Sequence, residues 1–92
     1  MLFRSTRNLL IYPNPVNKGS QLNIQLPDLT AGKYQLIITD ITGRQIYQET
    51  LSLPGGISNI TINEVSTVGR GIYNLSIGGI GMKETKSFIV IE

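Results

Sequence analysis

The side chains that could carry chemistry in this 92-residue chain are few. Histidine and cysteine are both absent, which removes Ser-His-Asp and Cys-His nucleophile systems and zinc sites built from those ligands. The carboxylates are scattered, whereas glycosidase chemistry needs two that face each other. We therefore expect no enzyme, and only two carboxylates facing across a cleft would indicate one. The carboxylates are Asp28, Asp40, Glu49, Glu64, Glu84 and Glu92.

Two binding chemistries stay open. A weak calcium site could form near Asp40, because a hairpin loop can gather carbonyl oxygens. The tyrosines could form a platform on which sugars stack, which would indicate an extracellular fibronectin-like or carbohydrate-binding module, with Tyr47 as the residue to test. Three of the four lie in apolar alternation, which favours core positions instead. The tyrosines are Tyr12, Tyr34, Tyr47 and Tyr73.

Charge and apolar patterning exclude several other classes. Eight basic and six acidic residues leave a net charge of +2, which is not the footprint of a nucleic-acid-binding protein. No apolar run is long enough to span a bilayer, so membrane insertion is not expected. The glycine groups lack the pattern that seats a phosphate at a helix N-terminus. We expect no cofactor and no metal.

Composition predicts an all-β fold in one domain. Fourteen isoleucines, four valines and eight threonines give 26 β-branched residues, whereas alanine, the best helix former, occurs once, at Ala31. Ten glycines and four prolines interrupt the chain at short intervals. This pattern is typical of an antiparallel sandwich or a small barrel, and about seven strands fit the spacing.

Alternation places the strands. Leu22, Ile24 and Leu26 share one face of the clearest strand, with polar residues on the other. Pro27, Asp28 and Gly32 are predicted to be turn residues, and Gly43 to end a tight hairpin connection with a positive φ. The predicted strands cover residues 9–12, 21–26, 33–39, 44–51, 57–63 and 71–77, and a last one begins at Met82.

Two segments are predicted to lie outside these strands. Residues 1–8 are predicted to be a linker or a cloning remnant, because their apolar stretch is too short for a secretory leader. The domain is predicted to cover residues 9–92. The longer link after the fifth strand carries Val65 and Val68, which are predicted to pack under the sandwich.

The last strand differs from the others because it is apolar on both faces. Phe88 and Val90 lie on one face, and Ile89 and Ile91 on the other. Such a strand is either central in its sheet or, if its edge is open, a surface to which a partner adds a strand. Lys86 precedes these apolar residues and offers one charge. The sequence leaves both readings standing.

Four segments together resemble a known family. IYPNPV at 11–16, ITDITGRQI at 38–46, GRGIYNLSI at 69–77 and KSFIVIE at 86–92 are similar, in order and spacing, to the type A C-terminal sorting domain of type IX secretion cargo proteins. The resemblance covers residues 9–92. The family pattern falls on Pro13, Asn14, Pro15, Asp40, Gly43, Gly71, Tyr73 and Lys86.

The resemblance implies an immunoglobulin-like β-sandwich that follows a larger N-terminal cargo domain in a Gram-negative bacterium. It implies recognition by the outer-membrane translocon and its shuttle protein, then removal by a sortase-like peptidase that links the cargo to an anionic lipopolysaccharide. Cleavage would fall upstream of Leu9. The cargo would transit the periplasm and be secreted or displayed on the cell surface.

These observations combine into one hypothesis about recognition. Folding is expected to present the last strand as a docking surface, with Lys86 giving a charge. Apolar and main-chain contacts would come from Phe88, Ile89, Val90 and Ile91. The affinity would come from strand addition or from burial in a groove.

Overall fold

The computed structural model describes residues 9–63, 69–79 and 81–91, and these residues form strands and turns without a helix. The all-β prediction is confirmed. Residues 1–8, Val65 and Val68 lie outside the described residues, so the predictions made for them stay predictions. The strands are β1 (Leu10–Tyr12), β2 (Val16–Asn17), β3 (Leu22–Leu29), β4 (Gly32–Asp40), β5 (Gln45–Leu53), β6 (Gly56–Ile62), β7 (Gly71–Gly79) and β8 (Met82–Ile91).

The strands form two sheets that pack as a sandwich. One sheet has the order β1-β3-β6 and the other the order β2-β8-β7-β4-β5. All neighbours are antiparallel except β2 and β8, which are parallel. Among the described strands, β2 is the one that the sequence did not indicate. It has only two residues, and a period of two cannot be seen in a segment that short.

The core follows the alternation of the sequence. Leu22, Ile24 and Leu26 are fully buried, as predicted. In β7 the buried side chains are Tyr73, Leu75 and Ile77, which were predicted to point inward. Burying a side chain such as leucine or isoleucine is worth roughly 1.5–3 kcal/mol, so these positions determine which face of each strand turns inward. Within the described residues no polar or charged residue is buried.

The connection between β3 and β4 is shorter than predicted. β3 continues to Leu29 and β4 begins at Gly32, so Pro27 and Asp28 lie inside a strand and not in a turn. The pairing of β3 with β6 shifts register between Leu26 and Leu29. Such an irregularity can accommodate a proline, which has no amide hydrogen to donate to the ladder. The prediction of a turn at 27–28 was therefore wrong.

The described part of the chain contains no helix long and apolar enough to cross a membrane.

Candidate docking surface at the last strand

The last strand is both a central and an edge strand. Along one side β8 pairs with β7 from Met82 to Val90. Along the other side it pairs only with β2, at Val90 and Ile91. Over residues 82–88 no described strand lies on that second side. We call this stretch the open edge.

The end of β8 is held by the segment that crosses between the two sheets. The Ile89 amide donates a hydrogen bond to Asn14 Oδ1 at 3.0 Å, and the Lys18 amide donates to the Ile91 carbonyl oxygen at 2.5 Å. Asn14 thus supplies with its side chain the acceptor that a longer β2 would supply with its backbone. Asn14 lies between Pro13 and Pro15, and the peptide bonds before both prolines are cis.

Those two hydrogen bonds also fix the direction of the backbone groups along β8. The amide of Ile89 and the carbonyl of Ile91 point toward β2. Backbone groups alternate in direction along a strand, so those of Ser87, Thr85 and Lys83 point to the same side. They form a row of donors and acceptors with no strand partner among the described residues.

The predicted recognition residues fall on two faces. Phe88 and Val90 are 1% exposed, and the Phe88 ring stacks on Tyr73 with 5.8 Å between centroids. Ile89 is 43% and Ile91 39% exposed on the outer face of the sheet. The side chains of Phe88 and Val90 are buried and their backbone groups face β7, so neither residue is offered to a partner, whereas Ile89 and Ile91 can offer side chains.

An apolar patch extends from β8 onto the neighbouring strand. Ile72 is 52% exposed and is the register partner of Ile89. We call Ile72, Ile89 and Ile91 the isoleucine patch. Lys86 is exposed as well, but it lies on the face that carries Phe88. A partner that reaches both Lys86 and the patch must approach along the open edge.

Residues of the family pattern gather at one end of the five-stranded sheet. Tyr73 is the register partner of Asp40 on one side and of Phe88 on the other. Gly71 pairs with Val90, which pairs with Val16 directly after Pro15. One end of the sheet thus brings together four features: the crossing segment at residues 13–15, the β4–β5 hairpin, the start of β7 and the end of β8. Lys86 lies outside this group, two residues before Phe88 in β8.

Asp40 organises the β4–β5 hairpin. Its Oδ1 accepts hydrogen bonds from the Thr42 amide at 2.9 Å, the Thr42 hydroxyl at 2.6 Å and the Arg44 amide at 3.0 Å. Its Oδ2 accepts one from Arg44 Nε at 3.2 Å. Gly43 has φ +89°, so the predicted hairpin with a positive φ at this position is confirmed.

The same contacts determine the charge state of Asp40. The hydrogen bond from the Thr42 hydroxyl, helped by the two backbone amides and the Arg44 guanidinium, holds the pKa of Asp40 below its usual value against the opposing effect of partial desolvation. Both carboxylate oxygens are engaged within the loop. Among the described residues no group of three or more acidic side chains comes together that could hold a metal ion. The geometry gives a calcium site near Asp40 no further support.

Tyr73 closes the start of β7 through its hydroxyl, which donates to the Gly69 carbonyl oxygen at 2.7 Å. Tyr34 makes the same bond to Thr30, four residues upstream, at 2.7 Å. A glycine stands two residues before each tyrosine, with φ +152° at Gly71 and +156° at Gly32, values that other residues rarely adopt. The sequence signal for this paired arrangement is Gly-x-Tyr-x-Leu at 32–36 and 71–75, which the sequence reading missed.

The tyrosines do not form a platform for sugars. Tyr34 and Tyr73 are buried, and the Tyr47 hydroxyl donates to Glu49 at 2.5 Å. Only Tyr12, at 45% exposure, is a strongly exposed tyrosine among the described residues. A shallow depression of about 390 Å³ lies beside Gly78 and Gly79, and its lining, which includes Lys33, contains no carboxylate.

Comparison with known proteins agrees with this geometry. The fold defines a small β-sandwich module. The model of the secretion system C-terminal sorting domain family matches residues 10–92, and the chain belongs to this family of type IX secretion sorting domains. The resemblance found in the sequence is therefore confirmed, and with it the implied role as a type IX secretion sorting signal. Such a signal implies export through the outer membrane to the cell surface.

One solved structure supports the fold. It is that of PorZ, an essential bacterial surface component of the type IX secretion system of Porphyromonas gingivalis. The likeness has a TM-score of 0.65 at 24% identity and covers 91% of this chain but only 11% of PorZ. It supports an immunoglobulin-like sandwich and does not extend to what the rest of PorZ does. None of the curated proteins matches the chain.

Proposed function

We propose that this domain directs a larger N-terminal cargo from the periplasm through the type IX translocon, and that the open edge and the isoleucine patch of β8 are the surface that is recognised. Membership of the sorting-domain family supports the role. The observation that carries the choice of surface is the open edge itself: on the side of β8 away from β7, seven consecutive residues have no strand partner within the described residues, while the end of the strand is clamped.

The contacts available at β8 suggest how recognition works. An added strand of the translocon's shuttle protein would bond to the backbone of Lys83, Thr85 and Ser87. Ile89 and Ile91 would then give apolar contacts on one side of the edge, and Lys86 a charge on the other. Phe88 and Val90 act through the core, because they hold β8 against the opposite sheet.

The later steps of the proposal come from the family resemblance. After export, a sortase-like peptidase removes the domain upstream of Leu9 and links the cargo to an anionic lipopolysaccharide. In this proposal the domain contributes recognition, and the peptidase carries out the reaction. The cargo is then secreted or held at the cell surface.

A deletion of residues 86–92 would be a poor test, since it would take Phe88 and Val90 out of the core and unfold the domain. A sharper test fuses a reporter ahead of the chain in a bacterium with a working type IX system. Thr85→Pro removes one outward amide of the open edge. Thr85→Val keeps that amide but, like proline, loses the hydroxyl contact with Ser76 at 3.0 Å.

We expect Thr85→Pro to leave the reporter in the periplasm and Thr85→Val to deliver it normally. The patch is tested in the same assay by Ile89→Thr, with Ile57→Thr as its control, because Ile57 is an exposed isoleucine in a strand of the other sheet. Normal surface delivery of both Thr85→Pro and Ile89→Thr, in folded domains, would refute this choice of surface.

A further inference from the structure

The open edge has a defined centre. It begins at Met82, where the turn from β7 ends, and stops at Phe88, because Asn14 and β2 occupy the edge from Ile89 onward. Its midpoint is Thr85. Any strand that is to use the whole open edge must therefore be centred on Thr85.

Two of the three charges of the open edge lie symmetrically about this centre, while Lys83 stands opposite the uncharged Ser87 position. Glu84 precedes Thr85 and Lys86 follows it, and both point to the same face of the sheet, since they are two residues apart. Neither makes an ion pair with another described residue. Lone lysines on an edge discourage strand addition, but a Glu-Thr-Lys pattern can pair with itself in antiparallel orientation.

We propose that the open edge pairs with the open edge of a second copy of this chain, in antiparallel orientation, with the two-fold axis through Thr85. Glu84 then lies opposite Lys86 of the partner subunit, and Lys86 opposite Glu84 of the partner subunit. Thr85 exchanges both backbone hydrogen bonds with Thr85 of the partner subunit. Lys83 and Ser87 bond in the same way across the axis, so all outward backbone groups of the edge are satisfied.

The charge pattern selects this register over its neighbours. Strand pairing that keeps the outward residues bonded can slip only so that the axis moves to Glu84 or to Lys86. The first slip places Glu84 opposite Glu84 of the partner subunit, and the second places Lys86 opposite Lys86 of the partner subunit. Like charges directly opposite each other are destabilising, and each slip also leaves part of the edge unpaired.

This inference concerns the same edge as the proposed sorting surface but does not depend on it, because it can be tested on the purified chain. Self-pairing and docking exclude each other at one edge. A self-paired domain would hide the sorting surface, and dilution would expose it.

Sedimentation equilibrium of the purified chain at low ionic strength, over a range of protein concentrations, tests the proposal. Glu84→Lys and Lys86→Glu each convert both attractive contacts of the dimer into like-charge contacts, so each should weaken association about tenfold or more. The double variant restores attraction with the signs exchanged and should associate like the unmodified chain. Asp28→Lys, an exposed site in β3, makes the same change in net charge as Glu84→Lys and should have little effect.

Thermal unfolding of every variant checks that it is folded. An unmodified chain that stays monomeric at all concentrations would overturn the proposal. So would a dimer that the two single variants leave unchanged, as expected of an exchanged strand, or one that the double variant fails to restore.

Discussion

The two halves of β8 belong to one strand but have different surroundings. Residues 82–88 are paired on one side only, whereas from Ile89 onward the strand is held on both sides, by β7 and by the Asn14 side chain and β2. The clamped half anchors the strand, and the open half carries the unsatisfied groups. The difference suggests that a short crossing segment can fix a last strand in place without covering the edge that a partner would use.

The largest effect is expected where the strand meets the core. Phe88→Ala removes a fully buried ring that stacks on Tyr73 and should lower the free energy of unfolding by about 3–5 kcal/mol. Ile89→Ala, one residue further on, removes a half-exposed side chain and should cost less than about 1 kcal/mol. Denaturant unfolding of both variants measures the difference. Equal losses would mean that the two faces of β8 are not inner and outer as described.

The next largest effect comes from comparing backbone amides that point to opposite sides of the open half of β8. Lys86→Pro removes an amide that points to β7 and leaves a ladder carbonyl unsatisfied, which should cost at least about 1–3 kcal/mol. Thr85→Pro removes an amide that points away from the sheet, and edge strands tolerate proline there. We therefore expect the melting temperature of Lys86→Pro to fall well below that of Thr85→Pro. A reversed order would show that the direction of the backbone groups is wrong.

A smaller loss of stability is expected from breaking the hydrogen bond between Asn14 and the Ile89 amide, which clamps the end of β8. Asn14→Ala leaves the Ile89 amide without its acceptor, and the loss of one such hydrogen bond should cost about 1 kcal/mol. Asn14→Asp keeps an oxygen in place and should unfold close to the unmodified chain at neutral pH. The comparison is made by denaturant unfolding. An alanine variant as stable as the aspartate variant would show that the Asn14 side chain does not stabilise the end of β8.

The smallest effect comes from the hairpin at the same end of the sheet. Because the pKa of Asp40 is lower in the folded chain than its usual 3.8, the carboxylate binds protons more readily when unfolded. Its contribution is present above the ordinary value and is lost as the pH falls through the folded pKa. Melting curves from neutral pH into this acidic range should therefore show a smaller drop for Asp40→Asn than for the unmodified chain. An identical drop in both would mean that the loop does not stabilise the charge.

Much of the fold could be predicted because its signals are local. The alternation of Leu22, Ile24 and Leu26 determines which face is buried, and Gly43 with Asp40 determines a hairpin through contacts between near neighbours. The Pro27-Asp28 pair misled because proline marks turns and irregular strand positions alike, and only the pairing of β3 with β6 distinguishes them.

The candidate site was harder to predict because it depends on contacts between distant residues. The bond from Ile89 to Asn14 spans 75 positions, and β2 is too short to show a pattern. From the sequence Phe88 and Ile89 are equivalent apolar residues, and only the sheet order distinguishes the buried face from the exposed one. The family resemblance marked Asn14, and the structure supplies a physical reason for an asparagine there.

Amide hydrogen exchange followed by NMR, in solutions dilute enough to keep the chain monomeric, tests most directly whether the first half of β8 is open. We expect slow exchange at Lys86 and Phe88, whose amides face β7, and at Ile89, whose amide is held by Asn14. We expect fast exchange at Thr85 and Ser87, whose amides face the open side. Protection of Thr85 and Ser87 equal to that of their neighbours would contradict this prediction, because a strand edge available to a partner cannot already be satisfied in the monomer.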